Sequence, residues 1–328
     1  MKAILVASPG GVDQLVLGEY PTPRPGEKEI LVAVKATALN RADILQREGK
    51  YPPPSGASPL LGLETAGVVR EVGRQCTMWK PGDRVFALLP GGGYAQYTTV
   101  PEAMAMPIPE NLSFEEAAAI PEAFLTAYQT LHWIGRLQKG EYVLIHAGAS
   151  GVGTAAIQLV RQAQAFPIVT AGSEIKVAFC KRLGAFAGIS YQRHSFPEFV
   201  LQVTNAHGAD IIIDPVGAPY WQANLACLAQ DGRIILIATM GGTRVSEVRL
   251  QDLFRKRAQI TATTLRGRSL DYKIRLTQEF RTQMLPLFEK GILKPVIDRV
   301  FSWEQVREAH RYMEANRNMG KIVLRITG

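Results

Sequence analysis

The sequence predicts an α/β protein: a doubly wound parallel sheet in the middle of the chain, preceded by a mainly antiparallel β domain to which the tail returns. Three observations carry this expectation. An apolar run rich in β-branched residues meets a cluster of small residues at Tyr142-Val-Leu-Ile-His-Ala-Gly-Ala-Ser-Gly-Val-Gly153, and helical spacing of Ala155, Ile157, Leu159 and Val160 follows at once. Further apolar runs recur at Phe166 to Thr170, Asp210 to Asp214 and Arg233 to Ile237, each with room for a helix before the next. Strands that alternate with helices pair in parallel. Residues 1 to 122 instead carry short strands parted by Pro and Gly turns, the spacing of an antiparallel barrel or sandwich.

Taken in order, the expected strands of the first domain are Ala3 to Ala7, Glu29 to Ala36, Ala66 to Val72, Arg84 to Leu88 and Tyr94 to Val100. Asn40-Arg-Ala-Asp-Ile-Leu-Gln-Arg-Glu-Gly49 reads as a helix closed by glycine. It leads into Tyr51-Pro-Pro-Pro-Ser55, whose prolines fix the backbone and present Tyr51 on a stiff loop. Ser113 followed by Glu116 is a capping box that starts a helix. A helix over Phe124 to Leu131 comes next, so the border falls near Pro121 to Ala123. The expected division is 1–122, then a dinucleotide-type sheet over 123–264 ending in the β-rich run Gln259 to Leu265, then a tail over 265–328. The tail holds a long helix, Leu270 to Phe288, and a closing strand, Gly320 to Ile326; with no core of its own, it is expected to rejoin the first domain.

At 328 residues, two domains are the expectation. With 47 % apolar and 20 % charged residues the chain reads as an ordinary globular protein, and its apolar runs fall short of the roughly 20 residues that cross a bilayer. Met1-Lys-Ala-Ile-Leu-Val-Ala-Ser-Pro9 reads as a strand and a turn rather than a signal peptide, which makes a cytoplasmic location the default. Cys76, Cys180 and Cys227 have neither disulfide nor metal spacing and are expected as reduced thiols. His132, His146, His194, His207 and His310 form no metal or triad pattern and are read as structural or exposed. The formal charge of +8 is spread along the chain, and Arg255-Lys256-Arg257 reads as a solvated helix end. Cofactor phosphates are a more economical use of that charge than nucleic acid.

Gly148, Gly151 and Gly153 stand in a G-x-x-G-x-G spacing. Glycine lets the backbone turn sharply and approach a pyrophosphate, while the first N–H groups of the helix and the positive end of its dipole face the anion. An ordinary strand-to-helix turn is the other reading of the same residues. Ser150 within it reads either as a helix cap or as a cofactor contact.

Seven segments resemble, in order and over the full length, the medium-chain dehydrogenase/reductase superfamily: Ala38-Leu-Asn-Arg-Ala-Asp43, Tyr51-Pro-Pro-Pro54, Leu61-Gly-Leu-Glu-Thr-Ala-Gly67, Leu89-Pro-Gly-Gly-Gly93, Ala118-Ala-Ile-Pro-Glu122, His146-Ala-Gly-Ala-Ser-Gly-Val-Gly153 and Met313-Glu-Ala-Asn-Arg-Asn-Met-Gly-Lys-Ile-Val323. Within it the chain is similar to the zinc-free quinone oxidoreductases (zeta-crystallin-like), most closely the tumour-suppressor-inducible group. The resemblance implies a Rossmann domain beside a GroES-like domain, a homodimer or tetramer, and direct hydride transfer from NADPH to a small-molecule quinone in the crevice between the domains. Where zinc alcohol dehydrogenases of the superfamily carry Gly-His-Glu, this chain has Gly62-Leu63-Glu64; their first cysteine ligand falls near Asn40, and their four-cysteine zinc lobe is missing. Leucine cannot ligate a metal. Reducing a simple ketone without a Lewis acid leaves charge on an alkoxide, whereas a quinone or enone delocalises it, so alignment and hydrogen-bond donors suffice. Reduction of activated alkenals or enones is the enzymatic alternative, and an NADPH-holding RNA-binding protein the non-enzymatic one.

The resemblance also carries roles onto single residues. Tyr51, beside the nicotinamide with a phenol to offer the substrate oxygen, and Ser150, supporting the reaction, are the expected catalytic residues. Asn40 and Asp43 fall near the nicotinamide, with a helix cap as the competing reading of Asn40. Thr126, Gly148, Gly151, Val152 and Gly153 are expected to border the cofactor. So are Val216 in Asp214-Pro-Val-Gly217, Met240 and Gly241 in Ala238-Thr-Met-Gly-Gly242, and Leu265 and Arg266 in Thr264-Leu-Arg-Gly-Arg268. Arg266 either reaches the pyrophosphate or lies on the surface, and Asn318 with Lys321 closes over the cofactor. The second strand ends in Val169-Thr-Ala-Gly-Ser173 with Lys176 beyond it, and Tyr191 matches a tyrosine that stacks near a 2′-phosphate, so NADPH is expected. Glu174 argues for NADH unless its side chain points to solvent.

Overall fold

A computed structural model of the chain describes residues 1–327. They divide into two compact units, one built from Met1–Leu125 with the residues from Arg266 onward, the other from Thr126–Leu265. The N-terminal segment holds β1 (Lys2–Val6), β2 (Leu15–Glu19), β3 (Glu29–Ala38), α1 (Arg41–Arg47), β4 (Glu64–Val72), β5 (Arg84–Leu88), β6 (Tyr97–Pro101), β7 (Ala105–Pro107), α2 (Phe114–Ala118) and α3 (Pro121–Tyr128). The second unit runs β8 (Tyr142–Ile145), α4 (Gly151–Gln162), β9 (Phe166–Ala171), α5 (Glu174–Leu183), β10 (Ala187–Ser190), α6 (Phe196–Val203), β11 (Ala209–Asp214), α7 (Trp221–Cys227), β12 (Leu228–Leu236), α8 (Leu250–Lys256) and β13 (Gln259–Ala262). The tail then adds α9 (Leu270–Glu289), β14 (Ile297–Ser302), α10 (Val306–Glu314) and β15 (Lys321–Arg325) to the first unit.

The second unit is a six-stranded parallel sheet in the order β10-β9-β8-β11-β12-β13. Val143, Leu144 and Ile145 are 0–1 % exposed, which is why β8 reads as an unbroken apolar run. Strand order reverses between β8 and β11, and ligands of such sheets bind where the strands on either side of that reversal end. The loops leaving β8, β9, β11 and β12 all lie at this end.

In the first unit β3 is the spine of a seven-stranded sheet ordered β14-β15-β3-β4-β5-β7. Strand β4 runs along one edge of β3, so the other edge is shared by β6, over 29–33, and β15, over 36–38. The tail belongs to the first core as well: Trp303, Val306, Met313, Ile322 and Leu324 pack with Ile4, Leu15, Val34, Leu39 and Tyr94. Phe124 at the start of α3 is held by Phe288 and Phe280 of α9, with ring centroids 4.9 and 6.4 Å apart.

The structure departs from the sequence expectation where pairing overrides local pattern. Residues 94–96 leave the expected strand to pair with β1, Ile4 N–H donating to Tyr94 O at 2.9 Å, and β6 starts only at Tyr97. Helix α3 opens at Pro121, the first-turn position that proline suits, and widens into a π-turn over Gln129–Ile134. Strands β2, β7, β10 and β14 were not expected; β7 is three residues long and β10 four, and β14 interrupts its apolar residues with Asp298 and Arg299. Among the described residues no helix is long and apolar enough to cross a membrane.

Trp303 is 1 % exposed at the junction of both chain ends. Trp303→Ala is expected to destabilise the protein by about 3–5 kcal/mol in denaturant titration; a loss under about 1 kcal/mol would mean that the tail is not part of the core.

Candidate functional site

In the first unit, four segments distant in sequence converge on one buried carboxylate. Glu64, at the first residue of β4, is fully buried and accepts from Lys321 Nζ at 2.7 Å and Asn40 Nδ2 at 2.8 Å through Oε1, and from Glu122 N–H at 2.8 Å through Oε2. The Lys321 ammonium also donates to Asn40 Oδ1 at 2.7 Å and Leu39 O at 3.0 Å, so its three protons are all engaged. Such an ion pair is tolerable in the interior because both carboxylate oxygens and all three ammonium protons are engaged. Asn40 is therefore occupied by Glu64 and Lys321, while its N–H is held by Asp43 Oδ2 at 2.7 Å, the acid three residues into α1.

Two more acids border this pair. Asp43 is fully buried; burial pushes its carboxyl up to about 6, against the downward pull of N–H groups from Asn40 and Gly62. Behind it runs a chain of donors. Arg47, which can only donate, meets His310 Nδ1 at 3.2 Å. Nδ1 must then accept and Nε2 must carry the proton, toward Tyr94 Oη at 3.3 Å, which in turn donates to Asp43 Oδ2 at 3.3 Å. Burial, with Arg47 beside it, brings His310 down to about 3, so the ring is neutral as this chain requires. Glu122, at the second residue of α3, is pushed up to about 8 by burial first and by Glu64 next. Both oxygens of Glu64 and of Asp43 accept hydrogen bonds, whereas among the described residues none donates to the Glu122 carboxyl.

Arg266 is 5 % exposed, so the surface reading of this residue is wrong. Its Nε donates to Pro90 O at 2.8 Å and its Nη2 to Gln46 Oε1 at 2.7 Å, while the buried Nη1 has no partner among the described residues. The Tyr51 ring faces its guanidinium at 5.3 Å, a cation–π distance. Burial raises the Tyr51 phenol above its ordinary value, so it stays a hydrogen-bond donor through the neutral range. Asn318 donates to Gly320 O at 2.8 Å, shaping the turn that delivers Lys321. Lys321 had been expected to close over a cofactor with Asn318; its ammonium faces inward instead.

In the second unit the glycine turn is sterically tight. A Cβ on Gly153 would stand 2.5 Å from the carbonyl oxygens of Ala147 and Gly148, and one on Gly148 would stand 2.7 Å from Val169 Cβ. Ser150 caps α4, its Oγ accepting from Gly153 N–H at 3.1 Å, and the N–H groups of Gly151 and Val152 open the helix without intrahelical acceptors. At the end of β9, Ser173 caps α5, Glu174 is exposed, and the Tyr191 hydroxyl sits over Gly172, where a Cβ would be 3.0 Å away. Lys176 is half-buried in the first turn of α5. The loops carrying Val216, Met240 and Gly241 are tied together, Met240 N–H to Pro215 O at 3.1 Å and Gly241 N–H to Val216 O at 2.8 Å. Thr126 and Leu265 are buried at the two ends of the unit.

These loops rest on a network that the sequence did not disclose. Asp214 Oδ1 accepts from Val216 and Gly217 N–H, and its Oδ2 from Asn224 Nδ2 at 2.8 Å. Asn224 Oδ1 must then accept from His146 Nε2–H at 2.8 Å, leaving Nδ1 to accept from the Thr170 hydroxyl at 2.9 Å. Burial lowers the His146 pKa, in keeping with this neutral tautomer.

Two family models match the chain: the alcohol dehydrogenase GroES-like domain over residues 26–110 and the zinc-binding dehydrogenase over 183–324. The chain is 32 % identical to a quinone oxidoreductase of Pseudomonas aeruginosa over 98 % of its own length and 99 % of the relative's. It is 31 % identical to the synaptic vesicle membrane protein VAT-1 homolog of Rattus norvegicus, over 99 % and 84 %. Similar solved structures include an NAD-dependent alcohol dehydrogenase (TM-score 0.89, 34 % identity, all of both chains). The Escherichia coli quinone oxidoreductase complexed with NADPH matches at 0.88 and 29 %, over 99 % of this chain and 100 % of that one. The JamJ enoyl reductase matches at 0.88 and 27 %, over 99 % of each chain.

The donor set does not fit the zinc that one of these family names implies. Leu63 is apolar and 1 % exposed, Glu64 is neutralised by Lys321, and Asn40 is bonded to both. Among the described residues no three His, Cys, Asp or Glu side chains gather as ligands. The glycine turn, by contrast, fits a dinucleotide: Gly148 and Gly153 let the chain turn tightly into α4, whose first N–H groups have no intrahelical acceptors and suit an anion.

Lys321→Met is expected to destabilise the fold by roughly 3–5 kcal/mol, because it strands a buried carboxylate, and Glu64→Gln in the same chain to recover part of that loss; additive effects in a double-mutant cycle would contradict the pairing. Glu122, raised in the folded state, contributes stability that is complete below about pH 4.5 and fades as the pH climbs through about 8. Glu122→Gln should therefore flatten the fall in unfolding free energy between these pH values, and an unchanged slope would assign the fall elsewhere.

Proposed function

Because the chain belongs to the medium-chain dehydrogenase/reductase superfamily, with quinone oxidoreductases among its relatives, we propose that it is an NADPH-dependent quinone oxidoreductase that works without a metal. The observation that carries this reading is the Lys321–Glu64 pair at Gly62-Leu63-Glu64. It fills the place of a Lewis acid with an internally neutralised charge, and so favours acceptors whose reduction spreads charge over a conjugated system.

NADPH, when bound, supplies the hydride. Gly148, Gly151, Val152 and Gly153 would take its pyrophosphate, with Ser150 setting the turn. Ser173, Lys176 and Tyr191 would hold the 2′-phosphate, and the exposed Glu174 leaves that role to them. Val216, Met240, Gly241, Thr126, Leu265 and Asn318 are assigned to the cofactor's flanks. Tyr51 donates a hydrogen bond to the acceptor oxygen, and Arg266 Nη1, buried and unpartnered, offers a second donor. That second role replaces the pyrophosphate contact expected for Arg266. Asn40 and Asp43 hold the floor of the site through their bonds to Glu64, Lys321 and Gly62. The acceptor-side chemistry thus falls to the first unit and the cofactor-holding loops to the second. The open edge of β13, and separately the exposed Leu250 and Phe254 on α8, support assembly as a homodimer.

Steady-state turnover with NADPH over a panel of ortho- and para-quinones is expected to exceed that with 2-alkenals or enones; no turnover of any quinone would overturn the reading, and preference for alkenals would move it to an ene reductase. Lys176→Ala should raise the KM for NADPH about tenfold and leave that for NADH unchanged. An unaltered NADPH/NADH ratio would remove Lys176 from cofactor choice.

A further inference from the structure

Reduction of a quinone needs a proton as well as a hydride. The two electrons and one hydrogen nucleus delivered by NADPH leave a hydroquinone monoanion, and one proton must reach its oxygen before product leaves. We propose that the carboxylic acid of Glu122 is that proton donor, passing its proton to the oxygen of the reduced acceptor. The inference rests on the quinone reading above.

Placement comes first. The Glu122 N–H is anchored on Glu64 Oε2 at 2.8 Å, and α3 is fixed by Phe124 against Phe280 and Phe288, so the backbone that carries the carboxyl is held in place at the helix N-terminal turn. It is half-buried, and of the three acids in the cluster it alone has oxygens that no neighbour among the described residues engages. The charged and titratable groups around it are Glu64 and Asp43, which disfavour its ionisation, and Lys321 and Arg266, which favour it. Tyr51 and Lys273 feel its charge in turn. Tyr51 and Arg266 are the donors assigned above to the acceptor oxygen, so the unengaged acid stands in the same electrostatic neighbourhood as that oxygen.

Magnitudes decide which group gives up its proton. A hydroquinone oxygen is phenolic, with an ordinary pKa of roughly 10. Glu122, at about 8, transfers to it downhill. Tyr51 lies above its ordinary value and would transfer uphill; it holds the oxygen without surrendering its proton. Lys273 is lowered by burial, but its Nζ is turned to Arg266 O at 3.4 Å. After transfer the Glu122 carboxylate regains a proton from solvent. The balance is quinone, NADPH and one proton in, hydroquinone and NADP⁺ out.

The test compares the full-length protein with Glu122→Gln and Glu122→Asp. The quinone kcat of the parent should fall above about pH 8. Glu122→Gln should lose that limb and about 100-fold in kcat with the KM for NADPH unchanged, and Glu122→Asp should recover part of the rate. Independently of turnover, ¹³C NMR of glutamate-labelled protein without cofactor should show one carboxyl titrating near pH 8 that is absent from Glu122→Gln. A kcat limb that survives in Glu122→Gln, or a Glu122 carboxyl titrating in the ordinary range, would overturn the proposal. If the parent turns over quinones and the variant equals it, only the proton role fails; if the parent turns over none, the function reading falls with it.

Discussion

A single buried ion pair, Lys321 with Glu64, fixes the arrangement on which the rest depends. Its members come from the first residues of β15 and β4, and its other bonds reach Asn40 ahead of α1 and Glu122 in the first turn of α3. A carboxylate and an ammonium lose several kcal/mol each on leaving water, and only a fully satisfied geometry returns it. That requirement ties the closing strand of the chain, the floor of the site and the helix carrying an unengaged acid into one rigid unit. The pair also sets local potential. Its two charges act on Asp43 and Glu122 in opposite directions, so burial decides, and both carboxyls shift upward.

Chemistry follows from that balance. In the zinc alcohol dehydrogenases the corresponding Gly-His-Glu motif gives the metal a histidine; here Leu63 and an internally bonded Glu64 give it nothing. In the proposed function the remaining tools are the hydrogen-bond donors Tyr51 and Arg266 Nη1, together with a carboxyl that holds its proton near neutrality. On the proposed reading, that set serves an acceptor that becomes aromatic as it is reduced better than one that must carry a localised alkoxide.

What the sequence disclosed follows the range over which each interaction acts. The β8–turn–α4 unit was legible because its strand pattern, glycines and helical spacing are contiguous, and the steric demand at Gly148 and Gly153 is written in the residues themselves. The Lys321–Glu64 pair joins residues 257 apart and leaves no local mark. Asn40 read as a helix cap or a cofactor neighbour; it does cap α1, with Asp43 completing the box, and what stayed hidden is that its amide also bonds the ion pair. Glu122 stood in plain view inside Ala118-Ala-Ile-Pro-Glu122; an acid following proline in an apolar stretch was the signal, but its environment is made by β4 and β15. His146 was set aside because histidines are read by spacing, and its partners Thr170 and Asn224 lie on other elements. Strand β14 was hidden by its charged residues, because its register is set by β15 rather than by its own pattern.

The claim at the centre is that hydride passes to the acceptor without help from a metal, the Lys321–Glu64 pair holding the site instead. Its most direct test is quinone turnover by protein stripped of metal with a chelator, using NADPH deuterated at the transferred position. The account predicts that chelation leaves the rate unchanged while deuteration lowers it by a primary isotope effect. Loss of turnover on chelation, restored by Zn²⁺, would contradict it.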